Sequence, residues 1–155
     1  MADMKFKFTI QPYQTEAVDS VTSVFAGQPF NDRFTYRRDA DINRDLTNLQ
    51  ISDDELYMGF ANNQVRLSSG QILANVNRIQ SRNNITPAQS LASSFGACSL
   101  DVEMETGTGK TYVYIKTMFE LNKLYGWSKF IVVVPSIAIR EGVRKSFETM
   151  QEHFM

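Results

Sequence analysis

The stretch Met104-Glu105-Thr106-Gly107-Thr108-Gly109-Lys110-Thr111 decides how the rest of the chain is interpreted. Residues 99–104, directly before it, alternate polar and apolar side chains as a β-strand does. Residues 112–124, directly after it, carry apolar side chains at helical spacing. A strand, a glycine-rich turn, a Gly-Lys-Thr sequence and a helix together predict a phosphate-binding loop.

Each residue type in this loop has a chemical reason. Gly107 and Gly109 allow a tight turn that brings backbone N–H groups close to phosphate oxygens. The helix that follows directs its partly positive N-terminus at the same anion. Lys110 supplies a positive charge for the β- and γ-phosphates and is the candidate catalytic residue, while the Thr111 hydroxyl suits the coordination shell of Mg²⁺. The predicted nucleotide-binding residues of the loop are Glu105, Thr106, Gly107, Thr108, Gly109, Lys110 and Thr111.

The first position of the stretch departs from the broadest phosphate-loop consensus. In that consensus four residues separate a first glycine from the Gly-Lys pair, and this chain has Met104 at the position of that first glycine. A chance turn of glycine, threonine and lysine is therefore the alternative interpretation. The strand and helix patterns on either side favour the phosphate loop.

Composition restricts the class of protein. The chain has 155 residues, of which 43% are hydrophobic, so one domain with a real core is expected and disorder is not. No apolar run approaches the length of a membrane span, and no signal peptide is apparent. Cys98 is the only cysteine, so no internal disulfide can form, which suits a cytoplasmic protein. Because no histidine lies near it in sequence, Cys98 is interpreted as a small buried residue and not as a nucleophile. The net charge of -1 does not by itself indicate nucleic-acid binding.

Two helices are predicted before the loop. Residues 5–10 alternate as a short extended arm, and Gln11-Pro12-Tyr13-Gln14 then begins a helix that ends at Gly27-Gln28-Pro29. Residues 67–83 form the second helix, with Ser68 or Ser69 as its N-cap. Between the helices, residues 30–57 carry mixed charges and predict a solvated excursion. Within it, Asp53-Asp54-Glu55 is interpreted as a helix cap, not as a magnesium-binding pair.

The segment after the loop helix predicts a second strand and a last helix. Residues 130–134 are an unbroken apolar run of the kind found in parallel strands covered on both faces. Pro135 ends the run, and Ser136 is the predicted N-cap of a helix that reaches about His153. Its inward face would comprise Ile139, Val143, Phe147 and Met150. The order strand, helix, strand, helix predicts an α/β fold with a parallel sheet and flanking helices.

Three motifs resemble those of superfamily 2 helicases and translocases, in the same order. The phosphate loop resembles motif I, which tolerates methionine at its first position. Gln14 resembles the adenine-reading glutamine upstream of motif I, since an amide both donates to and accepts from adenine; an amphipathic surface role is the alternative. Pro135, Ser136 and Arg140 resemble motif Ia, which contacts a DNA strand in that family; a capped helix start with an exposed basic face is the alternative.

The resemblance narrows to the Res subunit of type III restriction enzymes. It is carried by residues 102–114, by residues 133–143, by the Gln-Pro-Tyr-Gln helix and by the insertion at 29–98. It implies that residues 1–155 are the N-terminal part of the first RecA-like P-loop NTPase motor lobe. It also implies ATP and Mg²⁺ as cofactors, DNA as substrate, and a methyltransferase subunit as partner. ATP hydrolysis would then be coupled to DNA translocation and cleavage.

The chain is expected to be a fragment in which the sheet is incomplete. No Asp-Glu acidic pair follows Thr111 on a third strand, so Mg²⁺ would lack its acidic anchor and hydrolysis by these residues alone is not expected. Two alternatives remain open. One is a small P-loop phosphotransferase such as a nucleoside kinase, and the other is a binding module without enzymatic activity.

Overall fold

Within the part of the chain that the structure describes, four α-helices are joined by extended segments and turns. A computed structural model describes residues 9–30, 62–92, 96 and 98–154. The helices in these ranges are α1 (Pro12–Ser23), α2 (Ser69–Arg82), α3 (Lys110–Tyr125) and α4 (Ile137–Phe154). Each of these four confirms a helix predicted from the sequence. The predicted arm at Phe6 and Phe8, the charged stretch and the acidic Asp53-Asp54-Glu55 lie outside the described residues.

The main hydrophobic core forms where α1 packs across α3, with the C-terminal half of α4 against them. Val18 of α1 and Ile115 of α3 are each only 1% exposed, so both side chains are removed from water almost completely. Met150 of α4 closes the cluster, and Phe147 packs against it. Full burial of one such aliphatic side chain stabilises a fold by about 1.5–3 kcal/mol. This contact fixes the position of α1 relative to the start of α3.

A second cluster lies at the other end of the α1–α3 pair and is aromatic. The Phe25 ring meets Trp127 edge-on, with centroids 4.9 Å apart and an interplanar angle of 84°. The Tyr125 ring lies 5.3 Å from Trp127. The Tyr125 hydroxyl donates a buried hydrogen bond of 2.9 Å to the carbonyl of Thr22, near the end of α1. Polar and aromatic contacts therefore join the C-terminal ends of both helices.

Helix α2 is attached to the C-terminal end of α1 through Asn75. The Asn75 amide is buried and donates hydrogen bonds of 3.0 Å to the carbonyls of Val24 and Ala26. These carbonyls follow the last turn of α1, where no further helical N–H is available to them. At its own start, α2 is capped as predicted, because Ser68 Oγ accepts from the N–H of Gln71 at 3.3 Å.

Side-chain amides join the insertion to the rest of the molecule where the chain returns from it. Gln28 Nε2 donates to the carbonyl of Gln64 at 3.1 Å, and Gln28 Oε1 accepts from the N–H of Arg66 at 2.8 Å. Asn62 Oδ1 accepts from the N–H of Lys129 at 2.9 Å, and Asn62 Nδ2 donates to the carbonyl of Lys129 at 2.7 Å. Each side-chain amide thus donates to a backbone carbonyl and accepts from a backbone N–H, as the backbone of a neighbouring β-strand would.

The predicted strands are the point at which the described structure differs from the sequence interpretation. Residues 99–104 and 130–134 have no β-ladder among the described residues. Ile131 is 92% exposed and Val133 is 87% exposed, whereas a strand in a covered parallel sheet would bury both. A strand requires a neighbour about 4.8 Å away to bond with, and no described segment lies alongside these residues as a strand. The parallel sheet therefore stays a prediction.

The predicted inward face of the last helix is confirmed only in its second half. Met150 is buried and Phe147 is half-buried, but Ile139 is 47% exposed. The prediction for Ile139 was wrong because α4 contacts the core near its C-terminal end and its first turns lie outside that contact.

Replacing Asn75 by alanine should lower the free energy of unfolding by about 1–3 kcal/mol, because two carbonyls near the end of α1 would lose their donor. Urea denaturation measures this directly. Asn77→Ala is the matched control on the same helix, since Asn77 Oδ1 has no hydrogen-bond partner in the described part of the chain. Alanine is also the better helix former, so Asn77→Ala should leave stability unchanged or slightly raised. Equal losses for the two variants would contradict the assigned role of Asn75.

Candidate phosphate-binding site

The predicted phosphate loop is a tight turn that depends on two glycines. Gly107 and Gly109 have φ values of 85° and 89°, in the left-handed region that favours glycine. The turn is closed by Thr108, whose Oγ1 donates to the carbonyl of Glu105 at 2.7 Å. Helix α3 begins immediately afterwards at Lys110, with Gly109 as its N-cap. The local backbone is thus the one that the sequence pattern predicted.

The N–H groups of this turn are available to an anion. Within the described ranges, the N–H groups of Gly107 and Gly109 donate no hydrogen bond. The N–H between them, that of Thr108, donates to the carbonyl of Glu105 at 3.4 Å. Free N–H groups in a turn, next to a helix N-terminus, form a site of partial positive charge that suits phosphate oxygens.

Lys110 lies folded over the loop. Its Nζ donates to the carbonyl of Met104 at the first position of the stretch, and its side chain is otherwise exposed. The ammonium is therefore held on the loop by a single carbonyl, a partner that a phosphate can replace. Met104 itself is half-buried and packs against the core cluster that contains Val18. This packing gives the methionine a structural role at the position where the consensus has glycine.

Gln14 lies against the loop although 94 residues separate it from Thr108. Its Nε2 donates to the carbonyl of Thr108 at 2.9 Å, and its Oε1 accepts from the N–H of Gln11 at 3.3 Å. A Cβ at Gly109 would come within 2.5 Å of the Gln14 Nε2, so the contact requires glycine there. The amide keeps one N–H and one lone pair for a further partner.

Tyr13 is a residue at the site that sequence reasoning missed. Its hydroxyl donates to the same Thr108 carbonyl at 3.1 Å, from the first turn of α1. Its position next to Gln14 was the available signal. The pattern of the loop alone, however, gives no indication of which side chains on α1 reach it.

The remaining predicted site residues fall into two places. Glu105 and Thr106 are exposed on the loop, and Thr111 is half-buried at the start of α3. Among the described residues, no group of three or more His, Cys, Asp or Glu side chains could hold a metal ion. The assignment of the Thr111 hydroxyl to Mg²⁺ stays a prediction.

The predicted DNA-binding residues lie at the start of α4. Ser136 caps the helix as predicted, with Oγ accepting from the N–H of Ile139 at 3.3 Å. Arg140 is exposed and forms an ion pair of 3.1 Å with Glu141. In the described ranges, no hydrogen bond or ion pair connects Pro135, Ser136 or Arg140 to the phosphate loop.

Burial changes the acid–base properties of one nucleophile candidate and two tyrosines. Cys98 is half-buried, whereas the sequence analysis expected a buried residue. Desolvation raises the pKa of its thiol above its ordinary value, so the reactive thiolate is disfavoured. Desolvation also raises the pKa values of Tyr112 and Tyr125. Both phenols therefore remain neutral donors at physiological pH.

Comparison with known proteins identifies the family. The sequence profile described as "Type III restriction enzyme, res subunit" matches residues 7–154. The chain belongs to this family. Membership implies a RecA-like P-loop fold, in agreement with the loop described above.

Three relatives show how much of such a protein this chain covers. It is 32% identical to the EcoP15I Res subunit of Escherichia coli over 152 residues, which are 95% of this chain and 14% of that protein. It is 33% identical over 147 residues to the EcoPI Res subunit of Escherichia phage P1, covering 92% of this chain and 13% of that protein. The StyLTI Res subunit of Salmonella typhimurium is 52% identical over 58 residues, 36% of this chain and 6% of that protein. The chain thus spans about a seventh of the first two relatives. Within the described residues, no helix is long and apolar enough to cross a membrane.

Gly109→Ala should destabilise the chain by about 1–2 kcal/mol, because its φ of 89° is strained for any residue with a Cβ. The new Cβ would also displace the Gln14 amide. Gly142→Ala is the control, since nothing lies within 4 Å of the added methyl group and the residue is inside α4. That variant should be more stable by about 0.5–1 kcal/mol. Thermal denaturation measures both, and a loss of stability that is no larger for Gly109→Ala than for Gly142→Ala would contradict the loop geometry.

Proposed function

We propose that this chain is the N-terminal part of the ATP-binding motor lobe of a type III restriction enzyme Res subunit. One observation carries the proposal: a turn with free N–H groups at Gly107 and Gly109 leads directly into α3. Family membership supports the assignment of that turn to ATP. In the complete subunit, ATP hydrolysis would drive movement on DNA and permit cleavage.

The residues of the loop have separate roles in this proposal. The N–H groups of the turn bind the phosphate oxygens, and Lys110 neutralises their charge after leaving the Met104 carbonyl. Thr111 would hold Mg²⁺, which supplies charge neutralisation at the phosphates, together with water. Fixed N–H groups need no reorganisation to stabilise developing charge, so they contribute to rate as well as to binding.

Gln14 is proposed to read the base. Its Thr108 and Gln11 contacts use one N–H and one lone pair of the amide, and the other N–H and lone pair match N7 and the N6 amino group of adenine. The contact with Thr108 supports this role, because it holds the amide beside the phosphate loop.

Parts of the proposal concern the complete protein. Pro135, Ser136 and Arg140 are proposed to contact a DNA strand, since they lie at the exposed start of α4. A methyltransferase subunit is the proposed partner, and the cytoplasm is the proposed location. The parallel sheet is proposed to form when the extended apolar segments pair with further strands of the same lobe. A nucleoside kinase remains the second candidate, but the Gln14 contact has no role in it.

Lys110→Ala in the complete subunit should lower the ATPase rate by about 10²-fold or more, roughly 3 kcal/mol of transition-state stabilisation. The N–H groups and the helix dipole remain, so the protein should stay folded and retain some nucleotide binding. Lys123→Ala is the control, because this exposed lysine lies in the last turn of the same helix. Steady-state hydrolysis measures both variants. Wild-type hydrolysis by Lys110→Ala would remove the basis for the phosphate-loop assignment.

Gln14→Ala should weaken ATP more than GTP. Loss of the Thr108 contact affects both nucleotides alike, and the unpaired adenine edge adds about 1–3 kcal/mol for ATP alone. Titration calorimetry with both nucleotides measures the difference, so GTP is the internal control. Equal losses would mean that Gln14 supports the loop but does not read the base.

A further inference from the structure

The carbonyl of Thr108 receives two hydrogen bonds from α1. The Gln14 amide donates at 2.9 Å and the Tyr13 hydroxyl donates at 3.1 Å. A carbonyl oxygen has two lone pairs, so the two donors together saturate it. Such double donation fixes the direction of the carbonyl more firmly than either donor alone.

The direction of this carbonyl sets the direction of a phosphate donor. The peptide unit between Thr108 and Gly109 is planar, and in a trans peptide the C=O and the N–H point in opposite directions. When α1 holds the Thr108 carbonyl on its own side, the Gly109 N–H points to the other side, away from α1. That N–H donates to nothing within the described ranges, and its residue caps α3. The pair of donors on α1 therefore orients an N–H at the phosphate site.

We propose that Tyr13 is a positioning residue of the phosphate loop, acting through the Thr108 carbonyl on the N–H of Gly109. The proposal rests on the proposed nucleotide binding at this loop. It extends that proposal to a residue without a place in the phosphate-loop sequence pattern.

The exposure of the Tyr13 side chain argues against a role in core packing. The residue is 47% exposed, so its ring contributes little to the core. Val18, one and a half turns further along α1, is 1% exposed and anchors the helix against α3. The Tyr13 hydroxyl is thus carried by a fixed helix and its position is settled before a ligand arrives, which lowers the entropic cost of binding.

Tyr13 and Gln14 should differ in nucleotide selectivity. Gln14 has an N–H and a lone pair left over for a base, whereas Tyr13 acts only on the backbone of the loop. Removing the Tyr13 hydroxyl should therefore weaken ATP and GTP by the same factor. One lost hydrogen bond predicts a rise in both dissociation constants of about threefold to tenfold.

The test uses three tyrosine-to-phenylalanine variants of the 155-residue chain and of the complete subunit. Tyr13→Phe removes the hydroxyl on the loop. Tyr114→Phe removes a buried hydroxyl without a hydrogen-bond partner in the described part of the chain. Tyr125→Phe removes the buried hydrogen bond to Thr22, far along α3 from the loop. For each variant we would measure the dissociation constants of ATP and GTP by calorimetry and the melting temperature. We would also record the amide resonance of Gly109 without nucleotide.

The expected pattern is specific. Tyr13→Phe raises the dissociation constants of ATP and GTP by the same factor and shifts the Gly109 amide resonance. Tyr114→Phe changes neither the dissociation constants nor that resonance. Tyr125→Phe lowers the melting temperature and leaves the Gly109 resonance in place. An unmoved Gly109 resonance in Tyr13→Phe, or unchanged dissociation constants, would overturn the positioning role. A loss for ATP alone would overturn it too, since Tyr13 would then contact the base. If the unmodified subunit binds neither ATP nor GTP, the proposed function is contradicted. The Gly109 resonance in Tyr13→Phe then still tests whether Tyr13 orients the peptide between Thr108 and Gly109.

Discussion

The packing of α1 against α3 is the constraint on which the candidate site depends. Val18 and Ile115 are almost fully buried in that contact, and the N-terminal turn of α1 is thereby held beside the start of α3. Only in this arrangement do the Tyr13 and Gln14 side chains reach the Thr108 carbonyl. The loop is a local structure, but its orientation is set by a helix about 95 residues away in sequence.

The opposite end of α1 is held by the chain that returns from the insertion. Asn75 bonds to the carbonyls of Val24 and Ala26, and Gln28 bonds to backbone groups of returning residues. One helix of 12 residues therefore has the phosphate loop at its start and the insertion at its end.

Features that depend on near neighbours in sequence were predictable, and features that depend on distant ones were not. The caps at Ser68 and Ser136 and the glycine turn follow from local backbone chemistry, and the structure has all three. Strand pairing depends on partners elsewhere, so the apolar run that includes Ile131 gave a strand prediction that the described residues do not realise. Tyr13 was missed for the same reason, because its hydroxyl contact lies 95 residues away.

The segment before the candidate phosphate loop is exposed, and the contacts that hold the loop come from other parts of the structure. Val102 is 47% exposed, and residues 99–104 have no ladder among the described residues. The support visible in the structure comes from elsewhere: the Met104 side chain in the core, and the α1 donors on Thr108. The packing of the half-buried Met104 side chain and the two hydrogen bonds to the Thr108 carbonyl restrict the turn at two points before any phosphate arrives. Within the described residues, contacts with α1 and with the core therefore position the candidate phosphate loop.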